Sequence, residues 1–512
     1  MTDRRSFSSR TPASENPDRV QYRRGFVTRH QVTGWRFIMR RIASGVALHD
    51  TRMLVDPLRT QSRAVVTGAL IVATGLIGCF VFSLIRPGGV AGHDKILADR
   101  STAALYLLVG EQLHPVLNLT SARLIAGAAD NPTTVKTSEI DKYPRGNLLG
   151  IPGAPERMVQ SAAKDADWTV CESVSSTNAG VTLLAGRPGA DGERAERLPA
   201  DQGVLVHSNS GPNPGDWLLW DGKRSPIDVG NRAVTEALGL GTDVPAPRPI
   251  AAGLFNAIPE APALAPPAIA DAGAPPHFEL PIQVPVGAVV SAFAADNSLR
   301  YYAVLADGLQ PVSPVLAAIL RNSDSYGLEQ PPRLGADVVA AAPVSRDIDT
   351  AAFPAQPIHL VSASADPVTC AQWTKPSGAN ESSLTLLSGA TLPLPDGLHT
   401  VDLVGAGRGG TADRVALTPG TGYFVQTVGA EPGSPTAGSL FWVSDTGVRY
   451  GIETAGDDKI VGALGLRNPA LPIPWSVLAQ FAAGPTLSRG DALVAHDALS
   501  ADSGPARLEA HS

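Results

Sequence analysis

Three hydrophobic patterns follow one another along the chain. Between Arg63 and Arg86 runs "AVVTGALIVATGLIGCFVFSLI", without a charge. As a helix it would be ~33 Å long, enough for a hydrocarbon core of about 30 Å. Before it, Val32, Trp35, Ile38, Met39, Ile42 and Val46 recur at helical spacing while Arg36, Arg40 and Arg41 hold other positions on the turn. That spacing predicts a basic amphipathic helix lying on anionic lipid or docking on a partner. Pro57 is expected to break it before the apolar run. After the run the pattern changes to short extended segments punctuated by Gly and Asp-Gly.

Four of these segments align on an aromatic residue: "YLLVGEQLHP" from 106, "WLLWDGKRSP" from 217, "YAVLADGLQP" from 302 and "FWVSDTGVRY" from 441. Each begins apolar, turns, and resumes extended, which is hairpin chemistry. The register expected places Tyr106, Trp217, Tyr302 and Phe441 nine residues before Pro115, Pro226, Pro311 and Tyr450. A helical pattern follows each hairpin: "SARLIAG", "NRAVTEALGL", "PVLAAILRN" and "DDKIVGALGL". The predicted unit is therefore strand–turn–strand–helix, repeated four times. Segments between copies match as well, "WTVCESVSSTNAGVTLLAG" with "PVTCAQW" and "SSLTLLSG", and "GVLVH" with "GYFVQ". The expected fold is an elongated α+β domain with pseudo-twofold symmetry: four repeats, one at each corner, around a central β-core built by both halves.

The boundaries expected are a disordered stretch 1–20, the basic helix 21–63, the span 64–85 and a linker 86–104. Repeat 1 takes 105–160, core strands of the first half 161–216 and repeat 2 217–264. A linker and core strand occupy 265–300, repeat 3 301–345, core strands of the second half 346–440, repeat 4 441–489 and a loose tail 490–512.

Composition supports a folded, turn-rich chain: 51 Gly and 44 Pro exceed ordinary usage without reaching that of disordered segments. The net charge of −7 is split, because residues 1–63 carry 13 Lys/Arg against 5 Asp/Glu, a net +8 that leaves −15 for the remainder. Beside an apolar span that asymmetry points to a membrane, not to nucleic acid. The positive-inside rule then places the N-terminus in the cytoplasm and the large domain outside. A cleaved signal peptide fits poorly, since the apolar run is long, begins 63 residues in, and lacks a small-x-small site.

Among three cysteines, Cys79 falls within the span as a small lipid- or helix-facing residue. Cys171 alone could be a buried thiol, a ligand, a nucleophile or half of a disulfide. The alignment of halves gives it an equivalent, Cys370, and outside the membrane such a pair oxidises. A Cys171–Cys370 disulfide is the expectation.

The stretches "TRHQVTGWRFIMRR", "DTRMLVDPLRTQSRAVVTGAL", "LHPVLNLTSARLIAG" and "RGNLLGIPGAPERM" resemble the EccB family of mycobacterial type VII (ESX) secretion systems, over residues 25 to 490. The detail is most similar to the ESX branch linked to iron and zinc acquisition. The resemblance implies a structural subunit of the inner-membrane translocon, partnered by the motor ATPase EccC, by EccD and EccE, and by the mycosin protease. It also implies self-association through the periplasmic domain, and a disulfide there whose positions Cys171 and Cys370 match.

Some members of that family are called ATPases. No G-x-x-x-x-G-K-[ST] occurs here; "DGKRSP" has Trp217 where the first Gly belongs and Arg224 in place of Ser/Thr. The Gly-rich run 405–410 lacks strand-to-helix context and reads as a loop. There is no G-x-S-x-G, H-E-x-x-H or C-x-x-C, and His93, His114, His207, His277, His359 and His399 are scattered. No catalytic residue, cofactor or metal is expected. Two other readings remain beside the scaffold: a hydrolase with a noncanonical ATP site, and a cell-wall-binding arm stacking sugars on Tyr106, Trp217, Tyr302 and Phe441, for which core packing is the competing role.

Overall fold

A computed structural model describes residues 28–49, 57–85, 91–175, 179–210, 214–407, 410–429, 431–454, 459–500 and 505. The expected disordered stretch 1–20 lies outside them. Two compact units divide the chain, residues 1–88 and 89–512.

The first unit holds two helices. Helix α1, Arg29–Leu48, begins at a capping box in which Thr28 accepts from the Gln31 amide and the Gln31 side chain returns to Thr28. Helix α2, Pro57–Ile85, starts on its proline, where the missing N–H costs nothing. Within it Ser62–Val81 is long and apolar enough to cross a membrane.

The second unit contains four three-stranded meanders. In the second of these, Gln202–Ser208, Gly215–Trp220 and Lys223–Pro226 pair antiparallel in succession. The helix Arg232–Ala237 follows, then Arg248–Pro249 returns parallel to the first strand and leads into a further helix, Ala252–Ala257. The first meander repeats this order with Ile96–Asp99, Leu105–Val109 and Gln112–Pro115, the helix Leu119–Ala126 and the returning Thr133–Val135. The fourth uses Tyr423–Val428, Leu440–Val443 and Val448–Ile452, the helix Lys459–Ala463 and Leu471–Pro474. In the third, Val289–Phe293, Leu299–Val304 and Leu309–Val312 precede the helix Pro314–Ser323, and the return is a single parallel bridge, Ser291 to Arg333. Asn118, Asn231 and Ser313 cap the first three helices through their side chains, which locates each helix start.

Three hairpins adopt the expected register, with Tyr106 opposite Pro115, Trp217 opposite Pro226 and Tyr302 opposite Pro311. The fourth departs from it: Phe441 pairs with Gly451, and Trp442 faces Tyr450. Its turn between Val443 and Val448 is longer than the two-residue Asp221-Gly222 turn, so the alignment on Phe441 slips by one.

Several expected boundaries shift for one reason: each hairpin has a third strand ahead of it. Gln202–Ser208 and Tyr423–Val428, expected in the central core, belong to meanders two and four. Ile96–Asp99 and Val289–Phe293, expected in linkers or core, belong to meanders one and three. The tail expected from 490 is also structured at its start. Ser488 caps Arg489–Ala492 and bonds Asp491, and Ala495–His496 pairs with Leu148–Leu149.

The central sheet has seven strands, with Ala166–Ser173 and Val368–Lys375 adjacent and antiparallel in the middle, one from each half. Gly180–Ala185 and Ser383–Gly389 flank this pair, and Val401–Asp402 and Glu196–Arg197 form the two edges. One face carries Trp168, Val170, Leu183, Ala371, Trp373 and Leu386 into a large core closed by Leu254 and Phe255 of meander two and Val477, Leu478 and Phe481 of meander four. The meanders do not each close a separate corner. One and four share a core through Leu107, Leu124, Trp442 and Leu464, and two and three share another through Leu218, Leu238, Leu316 and Ile319.

Candidate functional site

The side chains singled out in the sequence fall in three separate places. On α1, Trp35, Ile38, Met39 and Ile42 are exposed, Trp35 at 63%. Arg36, Arg40 and Arg41 are exposed on the same helix. The helical pattern missed Phe37, which is 55% exposed and sits away from the apolar stripe, among the arginines. A capped helix that exposes Trp35, Phe37, Ile38, Met39 and Ile42 beside four arginines, Arg29, Arg36, Arg40 and Arg41, can bury apolar area on a partner or in a lipid interface and contribute charge alongside it.

The second place is the middle of the central sheet. Cys171 and Cys370 stand directly opposite each other and form a disulfide across a sequence separation of 199. Both are fully buried, with Leu184, Ala195, Val368, Leu387 and Ala416 around them. Thr182 lies opposite Cys171 on the neighbouring strand. Its hydroxyl and that of Thr169 are buried with no hydrogen-bond partner among the described residues.

On the sheet's other face, at the end nearest meander two, the Glu172 carboxylate accepts from the Ala251 amide at 2.9 and 3.0 Å. Arg248 donates to the Thr369 hydroxyl and is the attractive charge near Glu172. Burial raises the Glu172 pKa above its ordinary 4.5, against the Ala251 hydrogen bond and Arg248, with Asp413 adding repulsion. Meander four is held to that face differently: the Trp168 indole donates to the Pro472 carbonyl at 2.8 Å and packs edge-on against Tyr423, with ring centroids 5.4 Å apart.

The hairpin aromatics form the third set. Trp217 is buried against Phe255 with centroids 5.0 Å apart and rings near perpendicular. Tyr106 is half-buried beneath Arg145, Tyr302 is half-buried in the third meander, and Phe441 is half-buried 6.1 Å from Trp475. The structure brings none of these four together. His207 bonds Asp216, and no three metal-ligating side chains converge among the described residues. Among the described residues the arrangement is an exposed helix carrying apolar and basic side chains, a covalent tie, and four separate hairpin aromatics.

A family model described as type VII secretion system ESX-1, transport TM domain B, matches residues 24–501. The chain is 77% identical over 508 residues to the ESX-3 secretion system ATPase EccB3 of Mycolicibacterium smegmatis, covering 99% of this chain and 98% of that protein. It is 65% identical over 523 residues to the protein of the same name from Mycobacterium tuberculosis, covering 99% and 96%. Among solved structures it is similar to the EccB3 dimer from the ESX-3 core complex, with a TM-score of 0.71 at 74% identity over 78% of this chain and 100% of that one. It is also similar to a chain of an intact ESX-5 inner membrane complex, with a TM-score of 0.73 at 36% identity over 95% and 99%. With a family model over nearly its whole length and relatives matched over 99% of it, the chain belongs to the EccB family of type VII secretion proteins.

Proposed function

We propose that this chain is a structural subunit of an ESX inner-membrane secretion complex of the branch linked to iron and zinc acquisition. The observation that carries this reading is its likeness, over 95% of its length, to a chain of an intact ESX-5 inner membrane complex. In this reading α1 docks to the cytoplasmic motor module through Trp35, Ile38, Met39 and Ile42 with Arg36, Arg40 and Arg41. Helix α2 anchors, and residues 89–512 scaffold the periplasmic side. The +8 charge of residues 1–63 supports a cytoplasmic N-terminus. The partners are the motor EccC, EccD, EccE and the mycosin protease, with a second copy of this chain on the periplasmic side.

The four meanders are, on this reading, copies of one unit, paired by a pseudo-twofold axis through the disulfide. Their shared order of three strands, helix and parallel return supports it. ATP hydrolysis is assigned to the motor, because this chain has no Gly-rich Lys-Ser/Thr loop to cradle phosphates and Mg²⁺.

The test is mild-detergent purification of the tagged full chain from native membranes beside a version lacking residues 20–62. The full chain should bring down a motor ATPase, and the shortened chain should reach the membrane without it. A full chain that recovers no motor defeats the scaffold reading. ATP turnover by the purified full chain, abolished by a point variant within it, would establish the hydrolase instead.

A further inference from the structure

Where the central sheet meets the return strand of meander four, two adjoining hollows of about 610 and 410 Å³ share Lys164, Ser377 and Asn468 in their walls. Three cations reach this cleft from three distant segments. Lys164 precedes the strand Ala166–Ser173, Lys375 ends the strand Val368–Lys375, and Arg467 precedes Leu471–Pro474. Neither hollow has an aspartate or glutamate in its lining. Of the two carboxylates nearby, Asp165 is engaged by Arg187 at 3.1 Å and by the Ser377 amide at 2.9 Å, and Asp167 stands opposite Thr374 on the neighbouring strand.

The site is held in place. Gln160 clamps the Arg467 backbone at both ends, accepting from its amide at 2.7 Å and donating to its carbonyl at 3.0 Å. Among the described residues the structure gives the side chains of Lys164, Lys375 and Arg467 no carboxylate within ion-pair distance. Such a cluster is unexpected in residues 64–512, which carry a net −15. Nor does the fold impose it. At the corresponding register of the other half, Ala363 stands in place of Lys164 and Val244 in place of Arg467, with Asp366 and Asp243 nearby.

We propose that this cleft is a binding site for an oxyanion, a phosphate or carboxylate carried on an extended ligand. Lysines supply point charge and Arg467 a planar fork suited to two-point contact with either group. The two joined hollows admit a ligand longer than a single anion.

Isothermal titration of the detergent-solubilised full chain at fixed ionic strength tests it, with inorganic pyrophosphate in one arm and tricarballylate in the other. Saturable binding is expected in at least one arm, and the arm that responds identifies the oxyanion. The pair Lys164→Gln and Arg467→Gln, both exposed, should leave the melting temperature unchanged and weaken binding roughly tenfold or more. Lys142→Gln, which removes a surface charge elsewhere, should leave affinity unaltered. Absence of saturable binding to both anions, or an equal loss in Lys142→Gln, overturns the proposal.

Discussion

The two faces of the central sheet are built by different means. One carries Trp168, Val170, Ala371 and Trp373 into the largest core of the molecule, closed by helices from meanders two and four. The other has a small cluster around Cys171 and Cys370, covered in part by the loop side chains Leu392, Leu394 and Leu398. That poorer face also buries the unpartnered hydroxyls of Thr169 and Thr182. The covalent tie therefore sits on the face of the sheet with the smaller apolar cluster. Apolar burial and a disulfide are alternative ways of holding two halves of a sheet in register, and this sheet uses one on each side.

The comparison is most sharply broken on the rich face. Trp168→Ala should cost about 3–5 kcal/mol by loss of a buried aromatic, read as a shift of the denaturant midpoint followed by circular dichroism. Trp168→Phe, which keeps most of the ring and loses the Pro472 hydrogen bond, should cost about 1 kcal/mol. If the alanine variant unfolds at the wild-type midpoint, the apolar face is not what joins meander four to the sheet.

On the disulfide face, the double variant Cys171→Ala with Cys370→Ala should lose about 2–4 kcal/mol, against a chain-entropy ceiling of about 5 for a loop of this size. An unchanged midpoint would mean that the poor face is sufficient without its bond. A gain is expected beside it: Thr182→Val removes an unpartnered hydroxyl at nearly constant shape and should add about 1 kcal/mol. Destabilisation by that substitution would reveal a partner for the hydroxyl.

The smallest effect is a pH dependence at the end of the rich face. The folded state holds the Glu172 proton more tightly than the unfolded chain, so its contribution favours folding at low pH. It declines as pH climbs from 4.5 through the raised value. Glu172→Gln should flatten the midpoint against pH across that interval, and a curve that superimposes on wild type would remove Glu172 from the account.

What could be read from the sequence depended on whether a feature was local or duplicated. The hairpin at Asp221-Gly222 was legible because both residues take positive φ, 42° and 74°, as a two-residue turn requires. The partner of Cys171 was legible because the segments flanking both cysteines align. The strand ahead of each hairpin was not, since Ile96–Asp99 lies in a stretch that reads as linker. The return strands are too short for any period; Arg248–Pro249 is two residues long. The ordered start of the tail does carry a local signal, the Ser488-x-x-Asp491 capping pattern. Lys164, Lys375 and Arg467 carry no local pattern, because only the sheet crossing brings them to one cleft.

The shared cores have a consequence for the order in which this protein can be built. Meanders two and three draw on consecutive chain, so their core can close soon after residue 358 is made. Meander one, synthesised before them, buries its apolar face against residues 424–492 and stays unfinished until those residues follow. Cys171 likewise precedes its partner by 199 residues, roughly 10–40 s at ordinary elongation rates. Over that interval the earliest part of the domain carries a free thiol; Val368–Lys375 brings its partner, and residues 424–492 later cover the open apolar face.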